Sequence, residues 1–466
     1  MEPNQSPINQ SPQVQPGPLP EANQPIVPPV SSQKKSLMKI LMWVGIGLLV
    51  LIIVFVVIKM FSSKTTVSGE LTWWGLWEDE NVVAPLISEY EAKNPKVKIK
   101  YIKQSPKDYR ERLTNAIAKG QGPDIFRFHN SWVPMFTKDL DTLPSSVMTA
   151  SEFAKTFYPV ATSDLTSGNG IVGIPLEYDG LVMYVNEDIF NKAGKTPPAT
   201  WDDLRTLAKE LTVKDEQGII TQSGVALGRV ENVDHWQEIL ALMMLQNGVD
   251  LTKPTGKPAE DALKFFGIFS SIDGVWDVTL PPSTQAFAAG KLAMYIGPSW
   301  RSFEISLQNP NLKFKAVPVP QLPKDSPNEI DITYATYWSE GVWARSTKKA
   351  VAWDFLKFLS TKESLQKLYQ NQSKVRTFGE PYPRVDMAST LSNHSVLGAL
   401  VKQAPGAQSW YLASRTFDGP TGINSLLSKY FEDAITSVIT DKSADKALET
   451  AAAGVTQVLS QYRLVK

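Results

Sequence analysis

Residues 71–103 read LTWWGLWEDENVVAPLISEYEAKNPKVKIKYIK, and three structural periods succeed one another inside them. Leu71 to Trp74 is an apolar strand ending at a turn on Gly75. Val82, Val83, Leu86, Ile87 and Tyr90 then fall on one face of a helix. Val97, Ile99 and Tyr101 alternate with Lys98 and Lys100, the period of two that a half-buried strand requires. Working outward, Ser105 precedes Pro106 at a helix start, Tyr109, Leu113 and Ile117 recur every fourth residue, and Gly120 stops that helix. Pro123 to Phe126 reads as a further strand. The order β-α-β-α-β predicts an open sheet covered by helices, an α/β fold.

The same rules extend along the chain. Thr200 with Asp203 caps a helix carrying Leu204, Leu207 and Leu211, and Ser360 with Glu363 caps one carrying Leu365, Leu368 and Tyr369. Tyr430 to Ile439 is a further amphipathic helix. Gly168 to Gly173 fits G-x-G-x-x-G, but a dinucleotide loop needs a strand before it and a helix after it, and Pro175 follows almost at once. A β-turn feeding a strand is predicted there instead. The roughly 400 residues beyond position 68 exceed the ~250–300 at which one core stops growing, so two lobes are expected. Turn clusters at 194–198, 253–258, 281–282 and 318–327 are too short for a flexible linker, which predicts that the chain crosses between lobes on ordered strands.

Ahead of this region, Ile40 to Ile58 is nineteen residues without a charge, about the ~20 that a helix needs to cross ~30 Å of hydrocarbon. One transmembrane helix is expected over 37–59. Its length, the polar leader before it and the lack of a small-x-small site after it favour an uncleaved signal anchor over a cleaved signal peptide. Lys34, Lys35 and Lys39 precede it while Lys59 and Lys64 follow, a bias toward a cytoplasmic N-terminus and an extracytoplasmic C-terminal region. Residues 1–36, with nine prolines, are expected to be a disordered cytoplasmic tail, and 60–68 a short stalk.

Composition excludes several functions. Lys and Arg number 47 against 47 Asp and Glu, so no positive field draws in a polynucleotide and no nucleic-acid partner is expected. The lack of cysteine rules out thiolate metal sites, disulfides, thiol nucleophiles and a lipid-bearing cysteine anchor. His129, His235 and His394 match no zinc-site spacing, and neither a G-x-S-x-G elbow nor a Walker loop occurs. No metal, no cofactor and no enzymatic activity are expected. A glycoside hydrolase drawing on two acids among Glu78, Asp79, Glu80, Glu177 and Asp179 is the least favoured alternative.

Tryptophan is the positive signal. Thirteen occur, and several stand beside glycine, proline or polar residues: Trp73, Trp74 and Trp77 around Gly75, Trp132 between Ser131 and Val133, Trp300 after Gly297-Pro298-Ser299, and Trp338 after Tyr337. Flat rings on loops stack on the apolar faces of sugar rings, whose hydroxyls then take Asp, Glu, Asn and Arg as partners. Trp201 and Trp353 lie in helical patterns and are assigned to the core, and Trp73 to the covered side of the sheet.

LTWWGLWED at 71–79, GQGPDIFRF at 120–128, NGIVGIPLEYDGLVMYVNEDIF at 169–190, TPPATWDDL at 196–204, FAAGKLAMYIGPSW at 287–300, KAVPVPQLP at 315–323 and AVAWDFLKFLSTKESLQKL at 350–368 follow in a familiar order. Together they resemble the family 1 extracellular solute-binding proteins, the maltose- and oligosaccharide-binding receptors of ABC importers. The resemblance implies a two-lobed periplasmic-binding-protein fold of type II, with hinge strands and a ligand cleft. It places lobe 1 at 69–177 and 298–345 and lobe 2 at 182–292 and 348–466, with hinges near Leu176 to Leu181, Tyr295 to Gly297 and Val342 to Ser346. As ligand contacts it implies Trp74, Trp77, Glu78, Asn130, Trp132, Asp179, His235, Trp236, Trp300, Tyr337 and Trp338, with Arg415 to Gly422, including Asp418, as a further stretch. A tethered monomer that captures a sugar and hands it to ABC permease subunits is the function implied. A sensor of the same fold is the second reading.

Overall fold

The computed structural model describes residues 33–61 and 69–465 apart from 169, 325 and 327, and within 33–61 it describes side chains at 39–54 only. The chain divides into a unit over Met1–Thr66 and a compact unit over Val67–Lys466. In the first, one helix runs Gln33–Phe61. Most of the expected tail, and of the stalk after it, lies outside the described residues. Among the described residues no helix is long and apolar enough to cross a membrane. The transmembrane expectation over 37–59 is therefore unsupported here, the described side chains of that helix being fewer than the ~20 residues a span needs.

Two five-stranded sheets organise the larger unit. In the first, Gly69–Gly75 pairs in parallel with both Val97–Lys103 and Ile125–His129. Trp338–Val342 then runs antiparallel to Ile125–His129 and to the short strand Ile174–Pro175. The helix Glu80–Lys93 buries Val82, Val83, Leu86, Ile87 and Tyr90, the face that periodicity marks. Tyr109–Ala118 buries Tyr109, Leu113 and Ile117, although it starts three residues after Pro106, where Asp108 sits in left-handed backbone. In the second sheet the order is Phe314–Val317, Leu181–Asn186, Leu292–Pro298, Ile220–Val225, Val213–Lys214. Leu181–Asn186 is buried throughout, as a central strand covered on both faces must be.

Strand pairing corrects the expected partition. Residues 298–345 do not return to the first lobe as a block: Phe314–Val317 pairs antiparallel with Leu181–Asn186 in the second sheet, and only Trp338–Val342 joins the first. Nor does 348–466 belong wholly to the second lobe. The Lys349–Leu359 helix sets Phe355 against Trp73 and Tyr90, and the Lys362–Gln372 helix bonds Val82 and Glu78 through Asn371 and Gln372, so both cover the first sheet. The helices Ile423–Ile439 and Ala444–Gln461 pack on Lys257–Ser271. Chain crossings fall at 176–180, between Val317 and Trp338, and again between Gln372 and Leu397, since Lys362–Gln372 covers the first sheet and Gln403 of Leu397–Gln403 donates to the Leu181 carbonyl of the second. None falls at Tyr295 to Gly297, which lies inside a strand, or at Val342 to Ser346, which joins two elements of the first lobe. The first two crossings touch where Gly180 bridges Ala335, and Gly180 is required there because a Cβ would collide with the Tyr334 carbonyl oxygen.

Smaller readings divide similarly. Thr200 caps Trp201–Leu211 by accepting from the Asp203 N–H at 3.1 Å. The other proposed cap shifts by one residue, since Thr361 accepts from the Ser364 N–H and Ser360 closes the preceding helix. Thr166–Ser167 and Gly170–Ile171 form an antiparallel pair where the glycine-rich stretch lies, so no helix follows it. Trp201 and Trp353 are core residues.

Candidate functional site

A cavity of about 280 Å³ lies where both lobes contribute residues. From the first lobe come Trp77, on the turn after the first strand, His129, at the end of Ile125–His129, and Thr336, Tyr337 and Trp338, entering the last strand of that sheet. From the second come His235 and Glu238 at the start of the helix Trp236–Gln246, Trp300 and Phe303 around the start of Arg301–Gln308, and Ser414, Arg415 and Phe417 on a late loop. Glu177 and Asp179 reach it from the first crossing, and Arg376 and Glu380 from the segment after Lys362–Gln372.

The first-lobe wall is a layered aromatic stack. Trp77 and Trp338 meet edge to face with centroids 5.6 Å apart, and Trp338 and Trp132 meet in the same way at 5.4 Å. Trp132 is itself sandwiched between Tyr109 and Phe136 at 6.0 and 5.9 Å. Beneath lies a buried charge network: Arg127 holds Glu340 at 2.7 Å and Glu78 at 2.8 Å, with Glu177 at 3.7 Å. Burial opposes ionisation of Glu78, but the charges of Arg127 and Arg376 outweigh it and hold that carboxyl below the usual range. Glu177 moves the other way, burial and the neighbouring Glu380 raising it well above the usual range. Oxygens of Glu78, Glu177 and Glu380 lie within 4.8 Å of one another, a spacing a cation accepts, yet Arg127 and Arg376 already supply the opposing charge.

The second-lobe wall sets polar groups beside the rings of Trp300, Phe303 and Phe417. His235 holds left-handed backbone at φ 64°, as do Arg415 and Phe417 at 56° and 54° on the facing loop. Strained non-glycine backbone of this kind persists where surrounding structure demands it, commonly at binding sites. Arg301 donates to His235 Nε2 at 2.8 Å and lays its guanidinium over the Trp300 ring at 4.5 Å. Burial pushes both His129, to about 3, and His235 below the ordinary range, so neither is charged near neutral pH. At the crossing, Asp179 accepts from the N–H groups of Gly180 and Ser299 at 2.6 and 2.9 Å and from the Ser299 hydroxyl at 2.9 Å, while burial pushes it up to about 7.

Six of the eleven sequence-marked residues line this cavity: Trp77, Asp179, His235, Trp300, Tyr337 and Trp338. The other five stand elsewhere. Trp132 is fully buried behind Trp338 because the aromatic layer needs a second rank. Glu78 is spent on Arg127 and Gln372. Asn130 bonds Asp164 and the Tyr337 N–H and faces a separate cavity of about 330 Å³ beside Trp410 and Tyr411. Trp74 packs on the core, and Trp236 is buried at the first position of its helix. Asp418 caps Ile423–Ile439 through the Asn424 N–H and the Ser425 hydroxyl. Sequence reading missed His129, Glu238, Phe303, Thr336, Arg376, Glu380 and Ser414 as lining residues, and named Glu177 only among several candidate acids. The positions flanking Tyr337 and Trp338 were the available signal for Thr336; the rest converge only through tertiary structure.

Two sheet-centred lobes around an aromatic and polar cavity define a ligand-binding protein rather than a scaffold. Residues 85–378 match the model of the bacterial extracellular solute-binding protein family, and the chain belongs to that family. A binding protein of Brucella abortus is 25% identical over 294 residues, covering 61% of this chain and 69% of its own length. The maltotriose-binding protein of Pyrococcus abyssi is 23% identical, covering 63% of each. Among solved structures, the sugar-binding protein MalE of Xanthomonas citri superposes with a TM-score of 0.67 at 17% identity, over 85% of this chain and 98% of that one. These likenesses agree on the two-lobed α/β fold.

Proposed function

We propose that the chain captures a sugar or short oligosaccharide in the cavity between its lobes and delivers it to an ABC permease. One observation carries this: four rings, Trp77, Trp300, Tyr337 and Trp338, stand on both lobes around one cavity that also presents carboxylates and guanidinium groups. Rings take the apolar faces of a sugar, and the charged groups take its hydroxyls. The sugar-binding relatives support the same class of ligand. A ligand gripped from both sides binds the shut form better than the open one, so occupancy shifts the equilibrium toward closure, and the permease reads the closed form. Titration calorimetry of the full-length chain against maltotriose, mannobiose and diacetylchitobiose tests this. Saturable binding of one of them is expected; binding of peptides or polyamines with no response to any sugar overturns it.

The proposal includes tethering by the helix Gln33–Phe61, with the larger unit outside the cytoplasm. Ile40 to Val54 are apolar and exposed all around the helix, which suits a lipid environment rather than water. Retention of the full chain, but not of a form lacking residues 1–66, in carbonate-washed membranes is the expected outcome. Release of both forms contradicts tethering.

A further inference from the structure

Glu238 lines the cavity with its side chain 1% exposed, and its two oxygens are used unequally. Oε1 accepts from the Ser414 N–H at 2.6 Å and from the Ser414 hydroxyl at 2.9 Å. Oε2 is buried and has no hydrogen-bond partner among the described residues. The direction of the chain behind it is set by Arg301. Its Nε–H donates to His235 Nε2 at 2.8 Å, so a neutral His235 carries its proton on Nδ1, facing Ser414 Oγ at 2.9 Å. Ser414 Oγ accepts there and passes its own hydrogen to Oε1. Donors therefore run one way, Arg301 to His235 to Ser414 to Glu238, and end on a carboxylate. Glu238 also sits in the first turn of Trp236–Gln246, where the helix end favours negative charge. An ionised buried oxygen without a donor is costly unless something supplies one.

The same cavity holds the converse. Arg376 lines it, pairs with Glu380 through Nη1 at 2.6 Å, and keeps Nε and Nη2 without hydrogen-bond partners among the described residues. An unmet acceptor and unmet donors on one cavity suit a ligand that both gives and takes hydrogen bonds, as a sugar hydroxyl does.

We propose that Glu238 is a specificity-determining residue whose Oε2 accepts one hydroxyl hydrogen of a neutral sugar. This rests on the carbohydrate reading above. The test is a cycle on the full-length chain, using whichever of maltotriose, mannobiose and diacetylchitobiose titrates most tightly, together with its monodeoxy analogues. Glu238→Gln keeps the acceptor toward Ser414 and turns Oε2 into a donor. The expected result is an affinity loss of about ten- to a hundredfold for Glu238→Gln, matched on the wild type by one deoxy analogue, with the two losses failing to add. Circular dichroism melting checks that the variant is folded, and Glu238→Asp, which withdraws the oxygen but keeps the charge, replaces it if it is not. If the sugar binds and both the variant and every analogue stay within twofold of their references, Glu238 has no such role. If none of the three sugars binds the wild type, the carbohydrate reading falls and this assignment falls with it.

Discussion

The two walls of the cavity achieve order by different means. On the first lobe, Trp77 and Trp338 are held by ring packing, with Trp132, Tyr109 and Phe136 ranked behind them. On the second, His235, Ser414 and Glu238 are held by directed hydrogen bonds that begin at Arg301. Packing tolerates small rotations of a ring, whereas a chain of donors and acceptors fixes both position and polarity. The first wall thus suits recognition of ring shape, and the second suits recognition of which hydroxyl is where.

The largest expected effect lies beneath the first wall. Arg127→Leu leaves the buried carboxylates of Glu78 and Glu340 without their cation, and the loss should be about 3–5 kcal/mol of unfolding free energy, read from urea midpoints. An unchanged midpoint would mean that packing alone supports that wall.

Next comes the crossing between the walls, where Asp179 titrates near 7 in the folded protein, far above an exposed aspartate. The folded state then keeps a proton that the unfolded chain releases between about pH 4 and 7, so this group's contribution to stability is present below pH 4 and disappears as pH rises through 7. The stability of the wild type relative to Asp179→Asn should fall by on the order of 2–4 kcal/mol from pH 4 to 7.5. Parallel pH profiles for the two proteins refute this.

Smaller effects separate wall from scaffold. Trp300→Ala removes the half-buried ring of the second wall and should weaken sugar binding about thirtyfold, roughly 2 kcal/mol, in calorimetry. Trp74→Phe, beside the first wall but outside the cavity, should leave affinity within about twofold. Equal losses in these two variants would erase the distinction between a lining ring and a packed one.

The first sheet was legible because its periods are clean: Val82 to Tyr90 repeats as a helix, and Val97 to Tyr101 alternates as a strand. The lobe boundaries were less so, since no local pattern says which sheet Phe314–Val317 will join, and Leu181–Asn186 is apolar enough to accept it on its edge. In the candidate site, tryptophans beside turns pointed to Trp77, Trp300 and Trp338, but the same signal marked Trp132, whose ring is buried behind Trp338. The polar wall was illegible for a different reason. His235 meets Arg301 across 66 residues and Ser414 across 179, distances over which a single sequence carries no periodicity.

A crystal structure of the full-length chain soaked with its tightest-binding sugar measures most directly whether one ligand engages both walls. The expected density places a sugar ring between Trp338 and Trp300 with a hydroxyl on Glu238 Oε2. Density confined to the separate cavity beside Trp410 and Tyr411, with the space between the two lobes left to solvent, would contradict it.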